Sequence, residues 1–231
     1  MNRPKLLVLV RHAESARNKA KKGETYFADD AARRTVKGVP DYKIPITPDG
    51  AMHAQVTGQA IRERFGTFDY IYHSGYTRTI DTTNEILKAY TKEERRAMKV
   101  RQNTFIRERD PGFTYDMTET EAETAFPWLA EYWQTFGGFF SHPPGGESLA
   151  MVVQRVYLFL GMLFRDRPDQ KIMVVTHGGT LRCFRYLLEK WGYDEALSWP
   201  QGEGPGNCSV TTYVYNDEVQ RLELVEYNRI Y

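Results

Sequence analysis

Lys5-Leu6-Leu7-Val8-Leu9-Val10-Arg11-His12 is the stretch on which the reading of this 231-residue chain turns. Leu6 to Val10 are aliphatic in unbroken succession, the pattern of a short strand covered on both faces rather than one that alternates between core and water. Such a strand belongs inside a parallel sheet with helices packed on each side. Residues 69–72 and 171–175 look similar, and each of the three segments is followed by a helical pattern.

The clearest helix is expected over about 148–165, where Leu149, Val152, Val153, Val156, Leu160, Leu163 and Phe164 fall on one face and Ser148 stands as N-cap. Thr47-Pro48 predicts a capped helix running to about Phe65, with Pro at the first position, where its missing N–H costs nothing. Another helix is expected over 77–90. Repeated strand-then-helix units imply right-handed crossovers, so the fold class is α/β: a three-layer open, mostly parallel sheet with helices on both faces. Residues 209–215 and 219–227 are β-rich and split by the turn signal Asn216-Asp217, which predicts a closing hairpin or edge strands. No repeat, low-complexity tract or linker divides the chain, so residues 1–231 are read as one domain with excursions at about 19–45 and 109–146 that are candidates for a lid over a site.

The first excursion carries six basic and three acidic residues over 19–37 with little periodicity, which predicts a mobile connection. The second packs nine aromatics into residues 113–140, about twice the density of the chain as a whole, and reads either as a small satellite core or as a lid. Thirty-one Lys plus Arg against thirty Asp plus Glu leave a net charge of +1, so no global field favours nucleic acid or an anionic membrane. No apolar run approaches the ~20 residues of a membrane span or the ~7–15 of a secretory core. Two cysteines, Cys183 and Cys208, make no disulfide framework, and a reduced, cytoplasmic compartment is the expectation. Core faces and dimer faces look alike in one sequence, which leaves the oligomeric state open.

Open parallel sheets bind ligands at the carboxyl ends of their strands. After the first strand comes Arg11-His12, after the second a turn and Arg78 at a helix start, and after the third His177-Gly178-Gly179. Arginine forks and helix N-termini suit a phosphate dianion. A neutral imidazole among them can attack phosphorus and form a phosphohistidine.

The sequence resembles the histidine phosphatase superfamily, which includes the cofactor-dependent phosphoglycerate mutases and whose mark is Arg-His-Gly followed by Thr or Ser and then Asn. Here Arg11-His12-Ala13 leads to Ser15 and Asn18 at that spacing. Ile46-Thr47-Pro48-Asp49-Gly50, Ser74-Gly75-Tyr76-Thr77-Arg78-Thr79, Gly145-Gly146-Glu147-Ser148, Thr176-His177-Gly178-Gly179 and Asn207-Cys208-Ser209-Val210 follow in the family's order across almost the whole chain. The resemblance implies a phosphoglycerate mutase-like fold, His12 as phosphoryl acceptor, and Arg11, Asn18, Arg78 and His177 as holders of the phosphoryl oxygens. It implies a carboxylic acid as proton donor, and Glu108 in Ile106-Arg107-Glu108-Arg109-Asp110-Pro111-Gly112 is the candidate, with Asp110 and Asp116 as rivals. The implied substrate is a small phosphate monoester, with no metal or other cofactor required.

Three departures stand out: Ala13 where Gly is usual, Phe113-Thr114-Tyr115-Asp116 in place of a further acidic-Gly pair, and a long connection over 19–45. Hydrolysis is the favoured reading, a cofactor-dependent phosphoglycerate mutase the alternative, and a non-catalytic binding protein on the same fold a second alternative. Other chemistries fit poorly. Neither cysteine is followed by Arg at the offset of a cysteine phosphatase, no Gly-x-Ser-x-Gly elbow occurs, and the five histidines are at least 20 residues apart, which disfavours a zinc site. Gly202, Gly204 and Gly206 lack the context of a dinucleotide loop and read as a flexible loop.

Overall fold

The computed structural model describes residues 3–22, 24–199 and 204–231. Gly202, read as part of a loop, lies outside the described residues. Six strands form one sheet: β1 Leu6–Arg11, β2 Tyr70–His73, β3 Lys99–Gln102, β4 Lys171–Thr176, β5 Val210–Asn216 and β6 Arg221–Arg229. Their order is β3-β2-β4-β1-β5-β6; the first four are parallel, while β5 and β6 run antiparallel at one edge. The helices in chain order are α1 Ala16–Lys21, α2 Asp30–Arg34, α3 Pro48–Phe65, α4 Thr77–Leu87, α5 Lys92–Ala97, α6 Glu119–Ala125, α7 Leu129–Phe136, α8 Leu149–Asp166, α9 Gly178–Glu189 and α10 Tyr193–Ser198.

The period of two along β1 distributes its side chains between two cores. Leu7 and Leu9 pack with Val174, Val156, Phe159 and Phe184 on the α8–α9 side, whereas Leu6, Val8 and Val10 pack with Ile71, Met173, Ile61 and Ile86 on the α3–α4 side. Each such fully buried side chain contributes about 1.5–3 kcal/mol of transfer free energy. The predicted caps form: the Thr47 hydroxyl accepts from Gly50 N at 3.0 Å, and the Ser148 hydroxyl accepts from Met151 N at 3.1 Å. Residues 88–90, expected in α4, instead form a tighter turn.

Two features differ from the sequence reading. β3 and the short α5 before it were not expected, because Lys99-Val100-Arg101-Gln102 is a charged edge strand whose pairing with β2 needs no apolar run. The excursion read as a mobile connection instead holds α1, α2 and a small core of Phe27, Val36 and Ile44, anchors too widely spaced to show a period. The aromatic segment, read as a satellite core or a lid, is divided: Phe139 joins the main core, and Trp128 and Phe136 remain exposed beside Tyr132.

The two excursions also meet each other. Arg33 Nη1 donates to the Asp116 carbonyl at 2.9 Å and to Glu121 at 2.7 Å, and Phe27 N donates to the Met117 carbonyl at 3.2 Å. Among the described residues no helix is long and apolar enough to cross a membrane.

Candidate active site

Strand register assembles the site. β1 and β4 align Arg11 with Thr176, so the next residues, His12 and His177, leave the sheet side by side at its carboxyl edge. Their rings stand 5.1 Å apart between centroids. The neighbouring β2 ends at His73 in register with Val175 and delivers Arg78 in the first turn of α4.

His12 is buried, and its Nδ1 lies 2.7 Å from the Ala13 carbonyl. A carbonyl only accepts, so the proton sits on Nδ1 and Nε2 keeps the lone pair. Burial first, then the charges of Arg78 and Arg11, hold the His12 pKa well below the ordinary histidine value, which keeps the ring neutral near pH 7. Ala13 tolerates the loss of the family glycine because its backbone is not among the positive-φ residues and its methyl packs with Ala54 and Cys208.

His177 is fully buried at the N-cap of α9. Arg78 Nε donates to its Nδ1 at 3.2 Å, which leaves Nε2–H to donate to Ser74 Oγ at 2.8 Å. Burial and Arg78 push its pKa down as well. Arg78 itself is buried, and its two terminal nitrogens face the carboxylate of Asp41. Arg11 Nη1 donates to the Pro205 carbonyl, while its buried Nε has no partner among the described residues.

Glu108 Oε1 accepts from Arg109 N at 2.8 Å, and Oε2 lies 3.9 Å from His177 Nδ1. Burial raises its pKa above the ordinary carboxylate value, against the pull of Arg78 and the Arg109 N–H. The carboxylate lies against the first turn of α9: a Cβ on Gly179 would come within 2.8 Å of Oε1, so the missing side chain there makes room for the Glu108 carboxylate. Gly112 is needed for another reason, since its φ is +61° and a Cβ would sit 2.2 Å from the Pro144 carbonyl. Arg155, on the otherwise apolar face of α8, donates to the carbonyls of Phe105, Arg107 and Glu108 and to both oxygens of Glu147, and so holds the loop that carries Glu108.

Asn18 caps its own helix, its Oδ1 accepting from Ser15 N and Ser15 Oγ, and Asn207 donates to the His12 carbonyl at 2.9 Å. The resulting cavity, about 480 Å³, is lined by Arg11, His12, Asn18, Arg78 and Glu108, with His177 behind them. Neither rival acid is among the residues that line it: Asp110 turns its Oδ1 to Gly112 N, and Asp116, whose backbone carbonyl accepts from Arg33, keeps a buried Oδ1 without a partner among the described residues. Arg17, Asp41 and Tyr115 also line the cavity, and no motif announced them. A larger hollow of about 850 Å³ between α8, α9 and the β5–β6 turn contains none of these groups. Among the described residues no group of three or more His, Cys, Asp or Glu side chains is arranged to hold a metal ion.

The sequence profile of the histidine phosphatase superfamily, branch 1, matches residues 7–228. The chain belongs to this superfamily. Among its histidine phosphatase relatives, a phosphoglycerate mutase-like protein of Arabidopsis thaliana is 31% identical over 89% of this chain and 72% of its own length. A 2,3-bisphosphoglycerate-dependent phosphoglycerate mutase of Parvibaculum lavamentivorans is 28% identical over 84% of this chain and 85% of its own. The solved structure of a mycobacterial glucosyl-3-phosphoglycerate phosphatase with inorganic phosphate superposes with a TM-score of 0.71 at 21% identity, covering 98% of each chain. That last likeness concerns the histidine phosphatase fold.

Proposed function

We propose that this histidine phosphatase hydrolyses small phosphate monoesters through a phosphohistidine on His12. The observation that carries the reading is the Nδ1 contact of His12 with the Ala13 carbonyl at 2.7 Å, which leaves a neutral ring with Nε2 as nucleophile between two arginines. Nε2 attacks phosphorus and the P–O ester bond breaks, with the Glu108 carboxyl proton going to the departing oxygen. The Glu108 carboxylate then takes a proton from water, whose oxygen attacks phosphorus and breaks the P–N bond. Phosphate leaves, and His12 and Glu108 return to their starting forms. Arg11, Arg78 and Asn18 stabilise the oxygens of the five-coordinate state, where one well-aimed donor is worth about 2.7–4 kcal/mol, while His177, with Nδ1 accepting from Arg78 Nε and Nε2–H donating to Ser74, acts by holding Arg78 in place. The cations do the work that a metal would otherwise do, so none is required. The two excursions act as a lid on the cavity, a role supported by their mutual contacts and by Asp41 and Tyr115 on its wall.

A second reading, transfer of the phosphoryl group back to a bound phosphoglycerate, is favoured by the names of the mutase and mutase-like relatives. Purified protein assayed on p-nitrophenyl phosphate with EDTA, beside His12→Ala, tests the proposal: release of phosphate is expected and should vanish in the variant. Interconversion of phosphoglycerates without phosphate release would replace hydrolysis by the mutase reading.

A further inference from the structure

A guanidinium has five N–H donors, and four of those on Arg78 are already engaged. Nε donates to His177 Nδ1, Nη1 to both the Asp41 carbonyl at 2.8 Å and Asp41 Oδ1 at 3.1 Å, and Nη2 to Asp41 Oδ2 at 3.2 Å. The pair is a forked, two-point contact with Arg78 5% and Asp41 21% exposed, so it is little weakened by water. Asp41 opens the three-residue 3₁₀ turn Asp41–Lys43 in the first excursion, and its side chain lies on the same cavity wall as His12. A phosphoryl group attached to or approaching His12 finds one Arg78 donor free unless Asp41 withdraws.

We propose that Asp41 is an internal competitor for the phosphoryl pocket: its carboxylate holds the Arg78 fork, and an entering group must displace it. This rests on the reading of the cavity as a phosphoryl site. The competitor sets a charge threshold. A monoanion offers the fork no more than the carboxylate already does, whereas a phosphate dianion offers twice the charge, so Asp41 makes the pocket selective for dianionic groups. A place for the displaced carboxylate exists beside it. Arg17 is fixed with its guanidinium over the Tyr115 ring and Nη2 on the Tyr115 carbonyl, and its buried Nη1 has no partner among the described residues.

Calorimetric binding of inorganic phosphate to wild type and to Asp41→Asn tests the clamp without any turnover. Because occupancy of the fork reduces the binding-competent fraction, the amide variant is expected to bind phosphate about tenfold more tightly. It should also take up methanesulfonate, a tetrahedral monoanion, at concentrations where the wild type does not. Glu24→Gln removes another carboxylate of the same wall and controls for charge alone, with an expected change below about twofold because Glu24 is exposed and its charge is screened by solvent. Thermal melting with and without phosphate reports folding, and Asp41→Ser replaces the amide variant should that one melt too low. Unchanged or weaker phosphate binding in a folded Asp41 variant, or equal tightening in Glu24→Gln, overturns the clamp. A wild type that binds phosphate but hydrolyses no ester would instead overturn the proposed hydrolysis and leave the clamp comparison valid.

Discussion

Arg155 offers a test of how the acid is held. Its guanidinium spans 2.7 Å to the Phe105 carbonyl, 2.8 Å to the Arg107 carbonyl, 3.0 Å to the Glu108 carbonyl and 3.0 Å to each oxygen of Glu147. Replacing it by Met keeps the apolar stem and removes all five bonds. Glu147 retains Arg107 and Asp110 N, and the Arg107 carbonyl retains Thr180 Oγ1, so the loss sits at the low end for a broken buried pair, about 3 kcal/mol. For a chain of this size that is a fall in Tm of roughly 6–12 °C. The carbonyl of Glu108 is then untethered, and a carboxyl displaced by about 1 Å costs on the order of 10² in rate wherever proton donation matters. The assay is the ratio of turnover on an alkyl phosphate to turnover on p-nitrophenyl phosphate, whose nitrophenolate leaves with little need of a proton. Arg155→Met is expected to lower that ratio sharply as well as the Tm. A lowered Tm with the wild-type ratio would show that Arg155 supports the fold without positioning the acid.

Glu108→Gln should reduce turnover of alkyl phosphates by about 10²–10⁴ and of p-nitrophenyl phosphate far less, measured as kcat/KM for both esters; equal losses would remove Glu108 as proton donor. His12 and His177 are held neutral with pKa values below the ordinary 6.5, so the unfolded chain binds their protons more strongly. Stability is therefore complete above about pH 6.5 and falls as pH drops below it, by about 1.4 kcal/mol per pH unit for each histidine, until the folded values are reached. The raised pKa of Glu108 works in the opposite sense, adding stability as pH falls toward the ordinary carboxylate value. Urea midpoints from pH 7 to pH 5 should show the net loss, and it should shrink in His177→Asn.

Much of the architecture was written locally. The apolar runs of β1, β2 and β4, the caps Thr47 and Ser148, and the Asn216-Asp217 turn each announce an element, because burial on one or two faces and satisfaction of helix ends impose short-range patterns. Arg11, His12, Arg78 and His177 were legible for the same reason: Arg11 ends a strand, His12 and His177 directly follow one, Arg78 follows one after a short turn, and parallel register alone brings strand ends to one rim. β3 escaped because a charged edge strand carries no such pattern.

The sequence by itself thus determined the α/β class, every strand but β3, the helices α3, α4 and α8, and the residues at the carboxyl edge. Only the tertiary structure decided how those residues are wired. The tautomer of His177 depends on Arg78, the reach of Glu108 on Arg155, and the state of the Arg78 fork on Asp41, 37 residues away along the chain. Arg17 meets Tyr115 across 98 residues. Local periodicity reports which side of an element is buried. Pairing between polar groups on separate excursions depends on where those segments come to rest against each other, and residue spacing within either one carries no record of it.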